Sequence, residues 1–162
     1  MHQDIKILNQ LISFNECSGL NIDGDGSVKE ILSSTGVVKS IEGDPQLLFT
    51  IKFRQNVNIN FIQIESGMNK ENIPEHVKIF VGKDDIDFDF AMDSKPTEKF
   101  DLVNNIGKQL KVNIPKFRNV NTMTIFFYSD EGDQIQVNSI NFYGTANEGN
   151  VDFAEMKKKP VG

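Results

Sequence analysis

Apolar residues recur along this chain with two different periods. From Asp4 to Phe14, Ile5, Leu8, Leu11 and Ile12 follow one another at the three- and four-residue intervals of a helix face. This spacing predicts a short amphipathic helix that covers a sheet edge. Gly19 to Gly26 reads as a loop. From Leu47 the period falls to two: Leu47, Phe49, Ile51 and Phe53 alternate as in a β-strand. Arg54-Gln55-Asn56 predicts a tight connection to a second strand, Val57 to Glu65. In that strand Val57, Ile59 and Phe61 keep one phase, whereas Ile62 and Ile64 sit on the other. Such a slip calls for a β-bulge or for a strand buried on both faces.

Further strands are predicted at Val77 to Val81, around Phe100 and Leu102, and from Leu110 to Ile114, where Pro115 stops the run. Between the first two of these, Lys83 to Thr97 is a long Asp-rich excursion with room for one helical turn. Met123 to Ser129 is a strongly apolar strand. Asp130-Glu131-Gly132-Asp133 predicts a hairpin turn and Ile135 to Tyr143 its partner strand. Val151, Phe153 and Met156 return to helical spacing ahead of Lys157-Lys158-Lys159. About seven or eight short strands without intervening long helices predict a mainly β, antiparallel sandwich or barrel with short peripheral helices.

Composition adds limits. The 162 residues suit one domain over residues 1–162, with a core from about 17 to 146 and a tail over 147–162. Thirteen Phe against two Tyr and no Trp fit a pleated, half-buried core. The net charge of −6 argues against nucleic acid or an anionic membrane surface as the partner, because both reward a basic face. Cys17 is a lone thiol and there is no Asn-x-Ser/Thr acceptor. With no apolar run long enough for a membrane span, these features predict a reducing setting: the cytoplasm, with the nucleus as a second compartment.

Candidate chemistry is sparse. His2 is terminal and His76 begins a strand, so a Cys17–His76 nucleophile pair has no third orienting group. No nucleophile elbow, phosphate-cradling loop, dinucleotide fingerprint or Cys-x-x-Cys occurs. Asn21-Ile22-Asp23-Gly24-Asp25-Gly26 opens like a calcium loop, but Leu32 stands where the closing Glu belongs. Asp85, Asp87 and Asp89 fail in the same way, with Phe90 in place of the glycine. One Cys and two separated His predict no structural zinc site. The reading is therefore no catalytic residue, no metal and no cofactor. The unusual segment is Asp84 to Asp93, where Phe88 and Phe90 lie among five Asp. If both rings point inward they anchor a loop; if one is exposed it is a candidate recognition spot.

Several segments in order resemble the PITH domain, the proteasome-interacting domain of thioredoxin-like proteins. Cys17 precedes Leu20-Asn21 as in the family's opening, and the segments 47–53 and 57–65 are similar to its central hairpin. Val77-Lys78-Ile79-Phe80-Val81 with Asp87-Phe88-Asp89 resembles its strand and Leu-Asp-Phe-Asp loop, and Pro96-Thr97-Glu98 its Pro-Thr-Gln. Phe117-Arg118-Asn119-Val120 with Met123-Thr124-Ile125-Phe126, and Ile140 to Thr145, are similar to its closing strands. Gly19 departs from a cysteine often found before Leu-Asn. The chain also ends at Gly162, where some members extend. The resemblance implies a jelly-roll sandwich of the galactose-binding-like type and a monomer. It also implies a non-catalytic module that associates with the regulatory particle of the 26S proteasome. In the family the domain follows a thioredoxin domain or stands nearly alone; the expectation here is a stand-alone member or a fragment. Asp87, Phe88, Asp89 and Phe90, with Asp152, Phe153, Lys157, Lys158 and Lys159 of the tail, are the expected partner contacts. The alternative is a carbohydrate- or calcium-binding jelly-roll module.

Overall fold

The structure is a computed structural model and describes residues 4–146. Among the described residues the chain forms, in order, β1 (Lys6–Ile7), β2 (Ser18–Leu20), α1 (Val28–Leu32), β3 (Val38–Lys39), β4 (Gln46–Glu65) and β5 (His76–Val81). Then follow α2 (Phe88–Asp93), β6 (Glu98–Asp101), β7 (Leu110–Lys111), β8 (Val120–Tyr128), β9 (Gln136–Val137) and β10 (Ser139–Ala146). Every strand pairing is antiparallel.

The architecture turns on β4. Its first half pairs with β2 and β8, and β8 continues to β5 and β6. Its second half pairs with β10 and β7, and β10 continues to β1. One strand thus belongs to both layers, and the sheet curls over its own apolar face. Inside this core Phe49 meets Phe127 of the neighbouring strand edge-on at 5.8 Å, and Phe53 meets Phe142 at 5.7 Å. Full burial of each ring contributes about 1.5–3 kcal/mol.

The predicted hairpin at 54–56 is replaced by this continuous 20-residue strand. The backbone stays extended through the triplet, where a tight turn would reverse it. Instead the register against β8 shifts between Lys52 and Val57, and the Asn121 amide donates to the Phe53 carbonyl at 3.0 Å. The phase slip at 59–62 is a bulge: Tyr143 and Gly144 face Phe61 and Ile59, which leaves Asn60 without a partner in β10 and turns Ile62 and Ile64 into the core.

Four further expectations are corrected. Residues 4–14 form β1 and a 3-10 turn, Asn9–Leu11, not a helix. A segment this short is marginal as an isolated helix. Here Leu8 N–H donates to the Phe142 carbonyl, and the buried Asn9 side chain bonds to Leu32, Ile140 and Phe142 main-chain groups. The segment does cover a sheet edge, but as a strand on β10. Ser18–Leu20, taken as loop in part, is β2. Finally, 135–143 does not pair with β8. β9 pairs with β3, fastened by the fully buried Ser40, whose Oγ accepts from Ile135 N–H at 3.0 Å, and β10 pairs with β4. The expected strand at 110–114 shrinks to β7, because Pro115 opens a 3-10 turn, Ile114–Phe117.

Candidate partner-binding surface

β5 and β8 have two apolar faces. Val77, Ile79, Met123, Ile125 and Phe127 point into the main core. Phe80, Phe126 and Tyr128 lie on the opposite face, where Leu48 and Ala91 complete a second buried cluster and Ile86 and Phe88 pack against it. The cover is the Asp-rich segment after β5. Asp87 starts α2 by accepting Phe90 N–H on Oδ1 at 2.9 Å. Thr124 Oγ1 donates to the Lys83 carbonyl at 2.7 Å and fixes the near end of the segment.

Lys78 fixes the far end. Only 8% of it is exposed, and Nζ donates to the carbonyls of Ala91 at 3.1 Å, Met92 at 2.7 Å and Ser94 at 3.3 Å. These groups close the C-terminus of α2, where a helix lacks internal donors and favours a cation. Burial and the neighbouring charge of Lys99 push the Lys78 ammonium below its usual range, while Asp93 opposes them. Sequence reasoning missed this residue. The available signal was Phe80, which shares the phase of Lys78 and shows that the second face of β5 is covered.

The helix divides its two aromatics. Phe88 turns inward, edge-on to Phe126 at 6.0 Å. Phe90 lies against Phe80 at 5.9 Å but stays 38% exposed, with Lys83 Nζ 5.8 Å above its ring. Met92 beside it is 42% exposed. Asp84, Asp85, Asp89 and Asp93 are exposed around them. One ring is thus an anchor and the other a partly open apolar spot in an acidic rim. Asp87 to Phe90 are brought together on one rigid element; Asp152, Phe153 and Lys157–Lys159 lie outside the described residues.

The other sequence candidates separate. Cys17 Sγ accepts Lys52 N–H at 3.4 Å, and burial pushes the thiol above its usual range, away from a nucleophilic thiolate. Lys52 pairs with Thr122 and His76 with Tyr128. Cys17 and His76 therefore lie near opposite ends of β8, about 20 Å apart along the strand. In the calcium-like loop the Asn21 amide donates to the Asp44 and Gln46 carbonyls, and Leu32 is a core residue.

Residues 2–160 match the sequence model of the PITH domain. The chain belongs to the PITH domain family. This PITH domain is 30% identical over 126 residues to PITH domain-containing protein CG6153 of Drosophila melanogaster, covering 74% of the chain and 59% of that protein. PITH domain-containing protein GA19395 of Drosophila pseudoobscura pseudoobscura is also 30% identical, with 73% and 58% covered. The match thus spans less than two thirds of either relative. Among solved structures, the family 32 CBM from C. perfringens NanJ in complex with galactose superposes with a TM-score of 0.62 at 9% identity, covering 86% of this chain and 99% of that one. The CBM32-1 and CBM32-2 domains from Clostridium perfringens ZmpB in complex with GalNAc give 0.64 at 10% identity, covering 88% and 36%. These likenesses show the galactose-binding-like jelly-roll fold.

Proposed function

We propose that this PITH domain is a non-catalytic protein-binding module that docks on the regulatory particle of the 26S proteasome. Membership of the family supports the partner class. The observation that carries the surface is the half-open Phe90–Met92 spot on a helix whose backbone is pinned at both ends. A preordered aromatic anchor binds without a large ordering cost, and such anchors dominate interface energetics. The acidic rim adds preference for a basic partner surface. Asp152, Phe153 and Lys157–Lys159 form the second proposed contact. In this reading the protein acts as a monomer in the cytoplasm and nucleus.

The experiment is binding of the chain to purified 26S proteasome, measured by interferometry. Phe90→Ala with Met92→Ala is expected to weaken binding more than tenfold, which corresponds to about 1.4 kcal/mol. Alanines at Lys157, Lys158 and Lys159 test the tail separately. Absence of wild-type binding removes the proteasome reading, and full affinity in both variants removes these contacts.

A second reading, a carbohydrate-binding module, has one observation in its favour. Phe61 and Tyr143 stack at 4.7 Å and 14° as a half-buried aromatic pair next to β7, and solved proteins of the same fold hold galactose or GalNAc. A glycan array without hits removes it.

A further inference from the structure

A second group of side chains meets at the other end of β5, away from α2. His76 begins the strand, Asp101 ends β6 beside it, and Asp130 follows β8. The His76 ring lies 4.8 Å from the Tyr128 ring, which limits its rotation. Nδ1 is 3.0 Å from Asp101 Oδ1, and Nε2 is 2.9 Å from Asp130 Oδ2. Glu75 Oε1 lies 3.8 Å from the same Nε2. Both ring nitrogens therefore face carboxylate oxygens. A neutral imidazole donates through one nitrogen only. Nε2, Asp130 Oδ2 and Glu75 Oε1 therefore converge on one side of the ring, while Nδ1 faces Asp101 on the other.

We propose that His76 Nε2, Asp130 Oδ2 and Glu75 Oε1 form a binding site for a divalent transition-metal ion, with Zn2+ the best fit. The three donor atoms lie within 4.8 Å of one another. Tetrahedral zinc at about 2.0–2.2 Å from each donor holds its ligands about 3.3–3.6 Å apart, so closure requires shifts on the order of 1 Å. One nitrogen and two carboxylate oxygens suit zinc or its neighbours better than Mg2+ or Ca2+, which prefer oxygen alone. Asp101 supplies the carboxylate–histidine–metal arrangement that fixes the ring.

The surroundings hold the site together. Glu75 Oε1 accepts Asp130 N–H at 2.9 Å, Glu75 N–H donates to Ser129 Oγ at 3.0 Å, and Leu102 N–H donates to the Glu75 carbonyl at 2.8 Å. Glu75, Ser129 and Glu131 also line a cavity of about 560 Å³ floored by Leu102 and Ile106. Three protein ligands leave a fourth coordination position, taken by solvent or by a donor from a partner. This inference does not depend on the proteasome reading.

The test is calorimetric titration of the full chain with ZnCl2 at pH 7.5, with Co2+ absorption spectra as a second readout and circular dichroism as a check of folding. One saturable equivalent is expected, with proton release. His76→Gln and Asp130→Asn are each expected to weaken it at least tenfold, and Asp101→Asn by about 10–100-fold. His2→Ala is expected to leave it unchanged. No saturable binding by the wild type would mean that the position takes a proton only, and would overturn the proposal. Binding unchanged in both His76→Gln and Asp130→Asn, or equally tight Mg2+ binding, would overturn it too.

Discussion

Lys78 sits mid-strand with its ammonium group against three carbonyls of the α2 C-terminus. Lys78→Met keeps the stem and removes the donors. The Ala91, Met92 and Ser94 carbonyls then lose their partner, so stability is expected to fall by about 1–3 kcal/mol. Amides of α2 are expected to exchange faster than those of β8 in hydrogen-exchange measurements. Alternation, through Phe80 on the same phase, marks the face of Lys78 as covered but does not say which carbonyls the ammonium reaches. Cys17 gives a second prediction. Its folded thiol titrates above the ordinary 9.0, so between that value and the folded one the unfolded chain holds fewer protons than the folded chain. The Cys17 contribution to stability is thus complete below pH 9 and declines as pH rises above it. Reaction with a disulfide reagent at neutral pH is expected to be slow in the folded chain and fast in denaturant.

The most informative element is β4 with its partner β10. Gly144 faces the bulge at Asn60, and a Cβ there would collide with the main-chain carbonyl of Asn58. Gly144→Ala is expected to cost about 1–3 kcal/mol or more, because backbone must move. The denaturation midpoint should fall with an unchanged m-value. The bulge itself was legible in the phase change between Ile59 and Ile62. The continuity of β4 was not. Arg54-Gln55-Asn56 is polar because the strand there passes from one layer to the other, and polarity alone does not distinguish such a crossing from a turn. Likewise Asp130–Asp133 reads as a hairpin, yet the chain leaves β8 to pair β9 with β3.

The ends of the described chain are joined across the whole fold. Asn9 donates to Leu32 O at 2.9 Å and Ile140 O at 2.8 Å and accepts from Phe142 N–H at 2.9 Å, so one amide links the first segment, α1 and β10. Asn9→Leu leaves buried main-chain groups unpaired and is expected to lower stability by at least about 2 kcal/mol. Chemical denaturation of the variant beside the wild type measures it. Such pairings between distant segments also predict folding in the millisecond-to-second range of all-β domains, measured by stopped-flow fluorescence.

Alternating Leu, Ile, Val and Phe were enough to establish a mainly β chain and its central strands, because period two acts through near neighbours. Which strands pair, that residues 4–14 are extended, that Phe88 turns inward while Phe90 is open, and that Glu75, His76 and Asp130 converge all depend on groups far apart along the chain. Their positions follow from how the curled sheet closes over two apolar faces, a balance of long-range burial and hydrogen bonding that no local pattern encodes.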